Sequence, residues 1–196
     1  MAFFMDAEVT LGRKLLEIFY ILTGLITIYT GVKNAQDKEN PSRAETAFFW
    51  IILGIVIAFG RWIPAKVTGV LVIVMCIPAI LKKVSVGKHD KPQEAETKAN
   101  FEKVGMKIFL PALSIGGFAL IFAVFTDLGA LVGLGVGVLV SAVLLCAFLK
   151  SNTPKVLLND SERMLSTVGP LSMLPQLLAC LGAVFTAAGV GDVIAD

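Results

Sequence analysis

The sequence predicts an all-α, polytopic integral membrane protein with about five transmembrane helices and a C-terminal helical hairpin that is broken or re-entrant. Of its 196 residues, 56% are hydrophobic and 16% are charged, whereas soluble domains average roughly 45–50% apolar and 25% charged residues. The mean hydropathy is +0.82. Most apolar residues lie in blocks close to the roughly 20 residues that cross a bilayer as a helix. We therefore interpret residues 1–196 as a single transmembrane domain.

Three apolar blocks predict the first three spans, over about 15–32, 47–62 and 64–81. The stretch KNAQDKENPSRAET follows the first block, and its charges and Asn-Pro pair are typical of a water-facing loop. Only RWIPAK joins the second block to the third, so these two blocks are predicted to form a helical hairpin. Both blocks are short for a bilayer crossing, which requires Arg61 and Lys66 to snorkel toward the interface.

A polar loop over 82–107, which holds seven lysines, precedes the fourth predicted span over 108–125. We expect the end of this loop to be helical and to lead into the span. Pro111 and the pair Gly116-Gly117 predict a kink in the fourth span, because proline and glycine pairs are the usual causes of sharp helix bends.

The fifth predicted span, over 129–149, carries small residues every four positions, at Gly129, Gly133, Gly137 and Ser141. Small residues at this spacing let a second transmembrane helix approach closely. These glycines lack the G-x-G-x-x-G spacing and the preceding strand of a nucleotide-binding loop. We therefore interpret the four residues as a helix-packing face.

The distribution of basic residues predicts the orientation of the chain. Loops 33–46, 82–107 and 150–163 together hold 13 lysines and arginines, whereas the opposite side holds 4, at Arg13, Lys14, Arg61 and Lys66. Because basic residues favour the cytoplasmic side, the three loops are predicted to lie inside and the N-terminus outside.

The segment over 165–195 is apolar but is interrupted by glycine and proline, which predicts a broken or re-entrant segment rather than one continuous helix. Non-helical backbone persists at membrane depth only where it is buried in protein or lines a watery cavity. Transporters use such broken helices to present helix ends to substrates and ions. The candidate substrate- and ion-binding residues are Pro175, Gln176, Gly189, Gly191 and Asp192.

Several of these polar residues have two interpretations. Free N–H groups around Gly189 would suit a carboxylate ligand, but the charge of Asp192 would repel one. Asp192 is either the N-cap of a following helix or a ligand of a coupling Na⁺ or H⁺. Gln176 either binds backbone groups freed by the preceding proline or contacts substrate. Glu17 is expected to reach the membrane interface, with an intramembrane role as the alternative.

Other classes of function lack support in the sequence. Cys76, Cys146 and Cys180 lie in apolar segments without C-x-x-C spacing, which favours plain packing over disulfides or zinc. His89 lies alone in a charged loop. With no catalytic triad, metal cluster, phosphate loop or nucleic-acid-binding face, we predict a protein that is not an enzyme and has no cofactor, no metal site and no nucleic-acid partner.

Four stretches resemble, in this order, the bacterial membrane family of domain of unknown function 979. They are ENPSRAETAFFWIILGIVIAFGRWIPAKVTGVLVIVMCIPA, GMKIFLPALSIG, LGALVGLGVGVLVS and LPQLLACLGAVFTAAGVGDVIA. The pattern LPQ…GAVF…AGVGD is the most specific of them. Members of that family continue with further spans, so the resemblance implies that this chain corresponds to the N-terminal part of a longer relative.

The resemblance implies a subunit of a secondary transporter for a small carboxylate, 5-oxoproline (pyroglutamate), in the bacterial cytoplasmic membrane. It also implies a second small membrane subunit as partner, and self-association into a homo-oligomer is the other association we expect. The alternative function is a non-transporting structural membrane subunit or a truncated, inactive fragment. A neighbouring reading frame for a partner subunit would distinguish the two.

Overall fold

A computed structural model describes residues 2–5, 9–85, 98, 101–148, 153–168, 171 and 173–190. Every regular element in these ranges is a helix, which confirms the all-helical class. The helices are α1 (Ala2–Met5), α2 (Leu11–Gln36), α3 (Arg43–Phe59), α4 (Ala65–Ile80), α5 (Phe109–Phe125), α6 (Ala130–Phe148), α7 (Pro154–Val168) and α8 (Met173–Ala187). A short 3₁₀ helix, Gly105–Ile108, leads directly into α5.

Three helical stretches in the described ranges are long and apolar enough to cross a membrane. They are Leu11–Gln36, Phe101–Phe125 and Ala130–Phe148, with mean hydropathies of 1.7, 2.4 and 2.6. Their length and composition support the predicted membrane class. Helices α3 and α4 are shorter, with 17 and 16 residues, and at 1.5 Å per residue they extend only about 25 Å.

Helices α2 and α3 pack closely through small residues, a contact that we call the α2–α3 seam. A Cβ placed on Gly24 would lie 2.6 Å from the backbone nitrogen of Ala58 and 2.7 Å from the backbone oxygen of Gly54. Further along, a Cβ on Gly31 would lie 3.1 Å from the backbone oxygen of Ala47. Glycine therefore sets the distance between these two backbones, as small residues do in membrane helix pairs.

The α3–α4 hairpin holds the main apolar cluster of the described structure. Phe49 and Trp50 are almost completely buried, and their rings meet edge to face with centroids 5.1 Å apart. Met75 from α4 is buried in the same cluster, and Leu165 from α7 packs against its edge. The cluster therefore ties three helices together next to the α2–α3 seam.

Helices α5 and α6 form a second close pair, which we call the α5–α6 seam. A Cβ on Gly133 would lie 2.5 Å from the backbone oxygen of Phe118, and one on Gly137 would lie 2.7 Å from the Cα of Ile115. The kink predicted for the fourth span stays a prediction, because a helix can bend without being interrupted. Pro111 lies just after the junction between the 3₁₀ helix and α5, within the helical stretch Phe101–Phe125.

Helix α7 changes the predicted boundaries after the fifth span. The stretch 150–163 is predicted as a loop and 165–195 as the broken segment, but α7 runs through both, from Pro154 to Val168. Its apolar residues recur at helical spacing among charged ones, so its average polarity conceals an amphipathic helix. Residues 165–168, at the start of the predicted broken segment, therefore belong to the amphipathic helix α7.

Candidate functional site

The predicted C-terminal site lies at α8 and just beyond it. Pro175 and Gln176 lie in the first turn of α8, which ends at Ala187. The N–H of Gly189 donates to the Thr186 oxygen at 3.2 Å, and Gly189 has a φ of +67°, the left-handed conformation with which glycine commonly ends helices. The helix thus ends inside the segment over 165–195 that is predicted to be broken. Gly191 and Asp192 lie outside the described residues.

The apolar surface of α8 is not covered by the described part of the chain. Every side chain from Leu181 to Ala188 is exposed, including Val184 and Phe185 with relative exposures of 61% and 48%. Such a surface is left uncovered only where lipid or another protein contacts it. The helix that carries two of the candidate site residues therefore has a surface available to either neighbour.

The four residues of the predicted packing face are placed differently from one another. Gly133 and Gly137 lie in the α5–α6 seam, and Ser141 is buried with 7% exposure. Gly129 precedes α6 with a φ of +86°, and a Cβ there would meet nothing within 4 Å. Gly129 therefore permits the turn into α6 rather than a close helix approach.

Helix α2 contains four buried polar residues, Glu17, Thr27, Thr30 and Asn34, with relative exposures of 7%, 2%, 0% and 2%. The hydroxyl of Thr27 donates to the Thr23 carbonyl at 2.8 Å, and that of Thr30 to the Ile26 carbonyl at 3.0 Å. We call these four the buried polar residues of α2. Thr27, Thr30 and Asn34 recur at helical spacing within an apolar segment. This spacing is the signal by which sequence analysis could have found them.

A charged group docks α7 onto the C-terminal part of α2. The Lys33 Nζ lies 3.1 Å from the Glu162 Oε2, and the side chain of Glu162 is 1% exposed. Lys33 also donates to the Asn159 Oδ1 at 3.0 Å, and the Tyr29 hydroxyl donates to the same oxygen at 3.2 Å. We call Tyr29, Lys33, Asn34, Asn159, Glu162 and Ser166 the Lys33 cluster.

The Lys33 cluster continues into the protein through amide and hydroxyl groups. Asn34 donates its Nδ2 to the Thr30 carbonyl at 2.8 Å and to the Ser166 Oγ at 3.2 Å. Ser166 in turn donates to the Glu162 Oε1 at 3.1 Å. The Oδ1 of Asn34 is buried and accepts no hydrogen bond from the residues that the structure describes. Sequence analysis missed this cluster because it assigned Glu162 to a solvated loop.

An open cleft of about 340 Å³ lies between α2 and α3 near the start of α2, lined by Glu17, Tyr20, Val56, Ile57, Gly60 and Arg61. Glu17 is only 7% exposed, since α2 packs against α3; the expectation that it reaches the membrane interface stays a prediction. Glu17 makes no hydrogen bond or ion pair within the part of the chain that is described. The guanidinium carbon of Arg61 lies 3.6 Å from the centroid of the Phe3 ring, a cation–π contact.

A second cleft, of about 450 Å³, lies between α3 and α4 and is largely apolar. At its polar end the Lys83 Nζ lies 3.3 Å from the Glu45 Oε1. A hydrogen bond from the backbone amide, followed by Lys83, holds the pKa of Glu45 below its ordinary value. This cleft has one exposed ion pair and no buried polar group, so it offers less for polar recognition than the cleft at Glu17.

Metal-binding geometry is not seen in the described ranges, since no three His, Cys, Asp or Glu side chains group there as metal ligands would. Among the described residues, Glu17 is a buried acid that lines a cleft, whereas the Lys33 cluster is a connected group of polar side chains.

Comparison with protein families gives one match. A family model described as "Protein of unknown function (DUF979)" matches residues 17–196, which confirms the resemblance drawn from the four sequence stretches. Neither the curated proteins nor the solved structures contain a match to the chain.

Proposed function

Because the chain belongs to the DUF979 family, we propose that it is one subunit of a secondary transporter for a small carboxylate, 5-oxoproline, which works together with a second small membrane subunit. The observation that carries the proposal is the set of buried polar residues of α2. Ionisable and polar residues inside membrane spans are costly, and they commonly mark pathways for substrates, ions or protons. Packing alone would be served by apolar side chains at these positions.

The exposed surface of α8 supports the proposed partner subunit. In this proposal α8 and the chain after it form the broken or re-entrant segment, and the partner or a second copy of the chain covers its exposed face. Pro175, Gln176, Gly189, Gly191 and Asp192 would then line the pathway for the substrate and a coupling Na⁺ or H⁺. The left-handed Gly189 supports this by ending α8 where free backbone groups are required.

The proposal places the protein in the bacterial cytoplasmic membrane with its N-terminus outside and with α3 and α4 as two further spans. It can be tested at Lys38 and Lys66, which lie before and after α3 and are both exposed. In a cysteine-free background, Lys66→Cys should react with an impermeant reagent added outside intact cells, and Lys38→Cys should react only after lysis. Reaction of Lys38→Cys in intact cells would contradict the orientation.

A non-transporting structural subunit is the second candidate, and the Lys33 cluster favours it. There, most of the buried polar groups are bound to one another within the chain, as in a docking contact that only holds α7 on α2. The two candidates differ at Glu17, because a purely structural protein has no use for a buried carboxyl group without a partner.

Uptake of labelled 5-oxoproline by bacterial cells tests the proposed function. Cells should express the chain alone, the partner alone, or both, with an uninduced culture as background. We expect uptake above background when both are present, and competition by excess unlabelled 5-oxoproline. Background uptake in all three cultures, with the chain present in the membrane fraction, would contradict the proposal.

A further inference from the structure

We propose that the cleft between α2 and α3 binds a small carboxylate that carries an N–H donor on the carbon next to its carboxylate, that is, an α-amido or α-amino acid. Glu17 receives the donor, Arg61 receives the carboxylate, and Val56 and Ile57 contact the hydrocarbon part. The inference rests on the proposed function and deepens it, because it assigns the place of binding and the chemical groups that are recognised.

Glu17 is the first reason to expect a ligand. The residue is 7% exposed, it lines the cleft, and its carboxylate makes no hydrogen bond or ion pair with any residue that the structure describes. A buried carboxyl group is costly unless something satisfies it. A donor on a bound molecule supplies the missing partner, and an N–H group suits an acceptor at the wall of a cleft.

Arg61 is the second reason, because it places a cation on the same cleft. It follows α3 in the chain and is exposed, and its guanidinium group stacks on the Phe3 ring at 3.6 Å. A guanidinium held by its flat face keeps the N–H donors along its edge available, and these match the two oxygens of a carboxylate. An acid and a base on one cleft favour a ligand that bears both an acceptor and a donor.

The rest of the cleft limits the ligand to a small molecule with a hydrocarbon part. Val56 and Ile57 are partly buried and apolar, and the volume of about 340 Å³ is near the lower end of the range for small-molecule sites, roughly 300–1,000 Å³. A carboxylate without the N–H group would fill the same space but leave Glu17 unsatisfied. Sites with buried polar groups bind a ligand that lacks the matching donor much more weakly.

Binding to the purified full-length chain in detergent, measured by titration calorimetry, tests the site. The three probes are 5-oxoproline, proline, and cyclopentanecarboxylate, which keeps the ring and the carboxylate but lacks the nitrogen. We expect the first two to bind and the third to bind at least about tenfold more weakly. Equal affinity for all three, or no binding of 5-oxoproline and proline, would overturn the inference.

Variants identify the residues. Arg61→Gln should lower the affinity for 5-oxoproline and for proline by about tenfold or more, because a charge-assisted hydrogen bond to the carboxylate is lost. Glu17→Gln should change the affinity for 5-oxoproline by no more than a few-fold, since the amide oxygen still accepts a hydrogen bond from the lactam N–H. It should lower the affinity for proline about tenfold, because the cationic nitrogen of proline loses its charged acceptor. The matched controls Arg43→Gln and Glu102→Gln, at exposed positions, should bind as the wild type does.

Two further comparisons complete the test. If either cleft variant is misfolded by size-exclusion chromatography, Val56→Phe replaces it, because the larger ring fills the cleft and should abolish binding. Wild-type affinity in Val56→Phe overturns the inference. Binding by the pure chain without uptake by cells contradicts the transport function but supports the cleft, whereas uptake that is unchanged in Arg61→Gln contradicts the cleft alone.

Discussion

The α2–α3 seam and the α5–α6 seam use the same packing device but differ in what they bury. In both, glycines bring two helix backbones so close that a single Cβ would meet backbone atoms of the partner helix at less than 3 Å. Helix α2 also buries a carboxyl group, two threonines and an asparagine. Helix α6 has one buried polar side chain in its described residues, Ser141.

This difference separates packing from function. The α5–α6 seam demonstrates that glycines suffice to hold two apolar helices of this protein together. The polar residues of α2 are therefore not required for close approach, and each of them carries a cost of burial in an apolar surrounding. Helix α2 buries four polar side chains and α6 buries one, and this difference is what supports the proposal that α2 and α3 handle a polar ligand.

The largest expected effect comes from filling either seam. Gly24→Leu and Gly133→Leu should each destabilise the protein by about 3 kcal/mol, because the added side chain meets backbone that cannot move aside. Gly133→Leu should in addition weaken assembly with a partner, if the opened seam distorts the subunit surface. Thermal unfolding in detergent and chromatography of the assembled protein are the measurements.

Gly116→Leu is the matched control for this pair, since a Cβ at Gly116 meets nothing within 4 Å. It should unfold within about 0.5 kcal/mol of the wild type, as surface substitutions usually do. If Gly24→Leu and Gly116→Leu unfold alike, the close approach of α2 and α3 is wrong, and the comparison between the seams fails with it.

The next largest effect concerns the Lys33 cluster. Lys33→Met should cost about 2 kcal/mol, because it removes the ion pair between Lys33 and the buried Glu162 carboxylate. This is below the usual cost of breaking a buried pair, since the Lys33 side chain is partly exposed. Glu162→Gln should cost less, about 1 kcal/mol, since the amide still accepts from Ser166. Lys83→Met, which breaks the exposed pair with Glu45, should change stability by under about 0.5 kcal/mol.

Chemical denaturation of the three variants in the same detergent checks this order. A cost for Lys33→Met no larger than that for Lys83→Met would mean that α7 is not docked on α2 through this pair. Loss of transport with wild-type stability in Lys33→Met would instead assign the lysine to the substrate pathway.

The apolar helices could be predicted from the sequence because their signal is local. Runs of apolar residues predict the helices. The spacing of Gly133 and Gly137 predicts the face on which α6 packs closely, even when the neighbouring helix is not known. The kink predicted from Pro111 and Gly116-Gly117 stays a prediction, because hydropathy locates the span but not the direction of the helix axis on either side of a proline.

The contacts of the candidate site could not be predicted, since they join distant parts of the chain. Glu17 lies near the polar start of its span, and only the fold places it on one cleft with Val56 and Ile57 of α3. Glu162 lies in a stretch of low hydropathy, and only its ion pair with Lys33, far away in the sequence, makes it a buried residue. In both cases the sequence holds the polar group but not the neighbour that determines its role.

The smallest expected effect lies at the exposed Glu45, where a pH dependence contrasts with the buried groups of α2. Its pKa is lowered from the ordinary value of 4.5 in the folded protein, so the ionised form contributes stability above pH 4.5 that is lost as the pH falls through the lowered pKa. Glu45→Gln should slightly flatten the decline of the unfolding temperature in acid. If the unfolding temperature of Glu45→Gln declines in acid as that of the wild type does, the ionised Glu45 does not contribute to stability.

The most direct test of the central claim, that the buried polar residues of α2 serve transport rather than packing, is exchange of labelled 5-oxoproline across proteoliposomes. The wild-type chain with its partner is compared with Glu17→Leu, which removes the carboxyl group, and with Gly116→Leu as the control. We predict that Glu17→Leu unfolds at or above the wild-type temperature while its exchange falls at least about tenfold, and that the control keeps both properties. Wild-type exchange by Glu17→Leu, or a loss of exchange that merely follows a loss of folded protein, would contradict the claim.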